Sequence, residues 1–224
     1  MSSSTASSTA KGIVPRKRWG QHFLHDVRCA RRIVELLECQ PGETVLEIGP
    51  GTGALTAHLL HLPIRLIAVE LDRRCLELLR ERFPPAEFPQ AEFVHGDILQ
   101  YDLPALARQV FEQSGRKLCI IGNLPYGISS PLLFRLFETA PLLSRAVVML
   151  QREVAQRLVA LPGTKDYGIL RLACWVVAEA RVHFHISARA FYPMPEVTSS
   201  VVSLHFRSNA WSGETYHRFR QLLH

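Results

Sequence analysis

With 224 residues, 47% of them hydrophobic and 21% charged, the chain holds enough apolar material for one well-cored domain and a small appendage, and too little for two full domains. No uncharged apolar run reaches the ~18 residues of a membrane span, and the start lacks the basic-then-apolar order of a signal peptide, so a soluble, cytoplasmic protein is expected. A net charge of +6 favours a polyanionic partner without demanding one, and five scattered cysteines with no C-x-x-C pair read as reduced thiols.

Residues 1–10 are Ser, Thr and Ala almost throughout, a composition that cannot bury apolar surface, and residues 1–15 are expected to form a flexible tail. Residues 11–26, KGIVPRKRWGQHFLHD, interleave positive charge with the rings of Trp19 and Phe23. That pattern suits an arm facing nucleic acid, with Arg16, Lys17 and Arg18 as candidate RNA contacts, or a flap over a cofactor; a solvated basic turn is the plainer alternative. Asp26 is placed to cap a helix over residues 27–38, whose Ile33, Leu36 and Leu37 share a face.

Thr44 to Ile48 reads as a strand running into Gly49-Pro50-Gly51-Thr52-Gly53 and then a helix over 54–62, the opening of a nucleotide-type βαβ unit. The spacing is G-x-G-x-G, unlike the G-x-G-x-x-G of dinucleotide sites, so the bare backbone at Gly49 and Gly51 need not face a phosphate. A second strand over 65–69 ends at Glu70, 21 residues after Gly49, where a carboxylate can accept from both hydroxyls of a ribose. Asp72 is placed to cap a helix carrying Leu76, Leu79 and Phe83. A short strand over 92–94 leads to Asp97 and Ile98. The Asp97 carboxylate is placed to accept from an adenine amino group, or to serve only as a turn aspartate.

After a modest helix over 104–115, the apolar run Leu118 to Ile121 reads as a buried strand that stops at Gly122-Asn123-Leu124-Pro125-Tyr126. Ligands collect at the carboxyl edge of an open α/β sheet, so Asn123 and Tyr126 stand where chemistry is expected. Ser129-Ser130-Pro131 opens a helix through Glu138, with serine at the cap. A strand over 145–150, helices over 152–161 and 169–179, and a strand over 181–186 follow, with His183 and His185 on one side of the last. No third ligand lies near that pair, and no metal is expected. Phe191-Tyr192-Pro193-Met194-Pro195 forms a stiff aromatic loop before an alternating strand over 199–206. A final apolar-faced helix starts at Glu214, with nothing visible to pack against.

The glycine loop, Glu70 and Asp97 together describe a site for an adenosine with its ribose and no phosphate requirement. S-adenosylmethionine fits it, and its methyl group needs no protein nucleophile or metal, in keeping with the missing Ser-His-Asp set. The amine of adenine is conjugated with its ring and is a poor nucleophile. The Asn123 side-chain oxygen and the Leu124 carbonyl, held extended by Pro125, are candidate acceptors for its two hydrogens. Tyr126 is a candidate to stack on a base taken out of its helix, with Phe191 on the opposite face.

The segments GQHFL, VLEIGPGTGALT, VELD, GDIL, GNLPYGISSPLLF, MLQREVAQRL and FYPMPEVTSSVV, in this order, resemble the KsgA-type ribosomal RNA adenine dimethyltransferases. The resemblance runs from about Lys17 to Phe206, and the N-L-P-Y form is similar to the small-subunit enzymes. It implies a Rossmann-like, class I S-adenosylmethionine-dependent methyltransferase fold: α/β, with a seven-stranded, mostly parallel sheet whose last strand is antiparallel. It implies cofactor contacts at His22, Leu24, Gly49, Glu70, Asp97 and Asn123, to which the loop and turn add Gly51 and Ile98. The reaction implied is dimethylation of N6 on two adjacent adenosines in the 3′-terminal hairpin of small-subunit rRNA, linked to subunit biogenesis. The chain departs from the family at His22, where Asn is usual, and at Gly127, where a polar residue is common.

The domain layout expected is a tail (1–15), a methyltransferase domain (16–207) and the beginning of a truncated helical domain (208–224). The partner expected is small-subunit rRNA or an assembling 30S-type subunit, met by a monomer without membrane or metal. Two other functions stay open on the sequence: an rRNA-binding assembly factor with secondary catalysis, and methylation of large-subunit rRNA.

Overall fold

The computed structural model describes residues 13–16, 19–211 and 213–222. Most of the expected tail and two candidate RNA contacts, Lys17 and Arg18, lie outside the described residues. The strands are β1 (Phe23–Leu24), β2 (Thr44–Ile48), β3 (Arg65–Glu70), β4 (Ala91–His95), β5 (Leu118–Asn123), β6 (Leu143–Gln151), β7 (Ala178–Ile186), β8 (Phe191–Tyr192) and β9 (Ser199–Phe206). The helices are α1 (Val27–Glu35), α2 (Thr56–Leu59), α3 (Arg73–Arg82), α4 (Leu103–Ser114), α5 (Ser129–Glu138), α6 (Arg152–Val159), α7 (Ile169–Trp175) and α8 (Gly213–Leu222).

Seven strands form one sheet in the order β4-β3-β2-β5-β6-β9-β7, parallel from β4 to β6, with β9 antiparallel to both its neighbours. The order reverses between β2 and β5, which is where an open α/β sheet leaves a crevice at its carboxyl edge. Strand alternation sorts the core into two layers. Leu46, Ile48, Ile120 and Val202 face the larger cluster under α4 to α7, while Val45, Ile121 and Val201 face the smaller one under α1 to α3.

Local chemistry sets the helix starts. Asp26 accepts from the Cys29 amide at 3.0 Å, Asp72 from Arg74 at 3.1 Å and Asp102 from Ala105 at 2.9 Å. The α4 helix stops at Gly115, whose φ of 68° suits a residue without a Cβ.

Several expectations are corrected. The helix expected over 54–62 shrinks to α2, because the glycine loop continues in turns to Leu55. The helix expected over 169–179 ends at Trp175, and Ala178 already pairs with Phe206: sheet pairing overrides helical periodicity there. Ser129 does not cap α5; its hydroxyl donates backward to the Pro125 carbonyl at 3.1 Å. A bulge between Val182 and Phe184 turns His183 and His185 to opposite faces, where they meet Ser203 and Ser200 on β9. Among the described residues no group of three potential metal ligands exists, and no helix is long and apolar enough to cross a membrane. Finally, α8 does have a partner: Tyr216 is fully buried in the larger cluster, and Arg220 pairs with Glu138 of α5 at 2.6 Å.

The short pairing of β1 with β8, Leu24 opposite Phe191, was not legible as strands. It straps the segment before α1 across the carboxyl edge of the sheet.

Candidate active site

Parallel register brings four strand ends side by side: Ile48 lies beside both Val69 and Gly122, and Glu70 beside His95. The residues that follow or close these strands, Gly49, Glu70, Asp97 and Asn123, therefore share one edge. Gly122 makes this possible, because a Cβ there would sit 2.6 Å from the Ile48 carbonyl oxygen.

The Glu70 carboxylate is buried and held by two backbone donors, Gly51 N–H to Oε2 at 2.9 Å and Asp72 N–H to Oε1 at 2.8 Å. Two of its roughly four lone-pair sites stay open, enough for the hydroxyls of a ribose. Burial pushes its pKa up against the pull of those two amides. Asp97 is half-buried and does serve as a turn aspartate through Oδ1, which accepts from the Leu99 amide at 2.9 Å; Oδ2 is the oxygen left for a ligand. Ile98 packs into the larger core.

A small cavity of about 30 Å³ opens at the loop, bordered by Leu24, Glu47, Gly49, Gly51, Asn123 and Met149. Phe23 sets its size: the ring lies so close to Gly51 that a Cβ there would meet it at 2.9 Å. Glu47, not foreseen from the sequence, is 1% exposed and accepts from the Thr56 hydroxyl at 2.7 Å; burial pushes its pKa up to about 8. Its signal was a lone carboxylate inside the apolar strand VLEI. Among the described residues no lysine or arginine borders this cavity, which disfavours a phosphate ligand, and the open lone pairs of Glu70 beside the loop suit a ribose. The residues thus fit an adenosyl sulfonium cofactor.

Asn123 has one amide atom committed. Its Nδ2 donates to the His22 carbonyl at 2.8 Å, and since a carbonyl only accepts, Oδ1 must be the other atom. The following backbone runs through Leu124, buried, and Pro125 at ψ 133°, into Tyr126. The Tyr126 hydroxyl meets Ser199 at 2.7 Å, and its ring lies against His22 with centroids 5.4 Å apart. Burial pushes the phenol pKa up, opposed by the Ser199 contact. His22, Tyr126, Gln151, Pro193 and Val197 border a second cavity of about 390 Å³.

Phe191 is a correction. It is 3% exposed and packed in the smaller core, since its pairing with Leu24 turns the ring inward; it offers no open face opposite Tyr126. Gln21, another residue not foreseen, donates to Asp72 Oδ2 at 3.0 Å and so ties the strap to the turn after Glu70. Burial pushes the Asp72 carboxyl up, yet hydrogen bonds from Arg74 and Gln21 outweigh it and hold the pKa down to about 2. Arg16 lies over the Trp19 ring at 4.7 Å on the same strap.

The model of a family described as ribosomal RNA adenine dimethylase matches residues 14–224. A ribosomal RNA small subunit methyltransferase A from Geobacter metallireducens is 43% identical over 193 residues, 86% of this chain and 68% of that protein. Its counterpart from Syntrophus aciditrophicus is 44% identical, over 86% of this chain and 67% of its own length. Among solved structures, a dimethyladenosine transferase from Plasmodium falciparum superposes with a TM-score of 0.76 at 27% identity, over 90% of this chain and 69% of that one.

Proposed function

The chain belongs to the ribosomal RNA adenine dimethylase family, and from that premise we propose that it dimethylates N6 of two adjacent adenosines in the 3′-terminal hairpin of small-subunit rRNA during subunit biogenesis. S-adenosylmethionine, when bound, supplies an electrophilic methyl group carried on a sulfonium.

The protein's part is to hold and to orient. Gly49, Gly51 and Leu24 border the cofactor, Glu70 takes its ribose and Asp97 its base. Asn123 Oδ1 and the Leu124 carbonyl accept the two hydrogens of the target amine, which draws its lone pair out of conjugation. Tyr126 flanks the base at the larger cavity, which is roomy enough for a nucleobase. Arg16 lies on the strap at the rim, where phosphate contacts would position the RNA. Residues 16–207 form the methyltransferase unit, against which α8 packs through Tyr216 and Arg220.

The observation that carries this reading is the Asn123 amide, locked by the His22 carbonyl so that its oxygen faces away from that bond. Incubation of the protein and S-adenosylmethionine with under-methylated ribosomal particles, followed by mapping of dimethyladenosine in both rRNAs, is expected to mark the small-subunit hairpin. Signal confined to large-subunit rRNA would overturn the assignment.

A further inference from the structure

We propose that Arg135 is a positioning residue for adenine recognition: it fixes the turn that aims Asp97 Oδ2 at the amino group of the cofactor's base. The proposal rests on the reading of Asp97 given above. The turn after β4 folds inward on that residue. Asp97 Oδ1 accepts from the Leu99 amide at 2.9 Å, and the Asp97 backbone carbonyl accepts from the amides of Gln100 at 2.9 Å and Tyr101 at 2.8 Å. The turn's carbonyls are then left to find donors elsewhere. That of Tyr101 takes the Leu103 amide at 2.8 Å, and that of Leu99 receives no backbone amide among the described residues. Arg135 of α5 reaches both: Nη1 donates to the Leu99 carbonyl, and Nη2 to the Tyr101 carbonyl at 2.5 Å.

Arg135 is spent on backbone oxygen. Among the described residues it makes no ion pair, whereas Glu138, three positions along the same helix, pairs with Arg220. It makes no hydrogen bond to Asp97 either, so its influence on a ligand passes through the turn it holds. The guanidinium is a rigid planar fork, and two of its nitrogens fix two carbonyls in one geometry, which a single ammonium cannot do. Ile98 anchors the same turn from inside the larger core. With Ile98 and the fork both in place, the Asp97 carboxylate keeps one oxygen free and one direction to point it, and a polar group held in place before the ligand arrives costs less ordering on binding. The helix that carries Arg135 begins at Ser129, just behind the Asn123 to Tyr126 turn, so one rigid element braces the cofactor's base and leads away from the target amine.

Calorimetry with S-adenosylhomocysteine and S-inosylhomocysteine tests this. Hypoxanthine has a carbonyl oxygen where adenine has its amine, and a carboxylate oxygen aimed there repels it. Wild type is expected to prefer the adenine ligand by about 100-fold, and Asp97→Ala to lose most of that preference. Arg135→Met keeps an unbranched stem without the donors; it is expected to cut the preference to about 10-fold and to leave the ratio of Asp97→Ala as it is. A merely structural role would lower the melting temperature and weaken both ligands alike. An unchanged ratio in folded Arg135→Met, or a further change of ratio in the Asp97→Ala background, therefore overturns the proposal. Where Arg135→Met does not fold, Arg135→Lys decides: a preference narrowed by about 3-fold supports the proposal, and the wild-type preference overturns it. Wild type that binds both ligands alike, or Asp97→Ala that keeps the preference, strikes the reading of Asp97 and the proposal with it. A protein that binds neither ligand strikes the methyl-transfer reading itself, so the failures are told apart.

Discussion

Asn123 is useful because half of its amide is already committed to the strap. Asn123→Ala is expected to leave S-adenosylmethionine affinity by calorimetry within a few-fold and to slow methyl transfer by about 3 kcal/mol, the usual loss for one preorganised polar contact. Unchanged transfer would remove Asn123 from the chemistry. Glu47 is a different kind of residue, a buried carboxyl whose pKa rises from 4.5 to about 8. The unfolded chain gives up this proton near its ordinary value while the folded chain keeps it. The contribution to stability is thus full below that value and is lost as pH rises towards about 8, at about 1.4 kcal/mol per unit of separation. Urea unfolding of Glu47→Gln and wild type is expected to show the variant gaining on wild type between pH ~5 and ~8. A difference that stays constant with pH would contradict the buried, neutral carboxyl.

Elements carry the site through their ends. β2 and β5 can lie close enough to align Gly49 with Asn123 only because Gly122 has no side chain. Gly122→Ala is expected to cost about 1–3 kcal/mol by denaturation, as overpacking does, and to weaken cofactor binding by parting the two strand ends. A variant as stable as wild type would mean the strands can spread freely. The long, strongly patterned strands and the capped helices were legible in the sequence, as were the glycine loop, Glu70 and the Asn123 turn. What escaped was whatever needed pairing at a distance. β1 and β8 are two residues each, too short to show alternation, so the inward turn of Phe191 was invisible. The bulge at His183 has no local signature in this sequence, and Tyr216 reads as one ring on a lone helix until α5 is beside it.

At the scale of the molecule, charge and connectivity matter most. With a net charge of +6, binding to an rRNA hairpin fragment is expected to weaken as salt rises, with a log-log slope of about 0.7–0.9 per phosphate contacted. Fluorescence anisotropy across a salt series reads it, and a flat response would mean that the basic surface is not used. The strap has a further consequence, for the order in which the protein is made. His22 meets Pro193 across 171 residues of chain, so translation yields the glycine loop and the Asn123 turn long before the segment that latches the strap exists. A polypeptide still on the ribosome therefore carries most of the site's parts with its cover loose, and gains a closed active centre only when synthesis has passed β8. Readiness to act on ribosomal RNA is thereby tied to synthesis of the segment that carries Pro193.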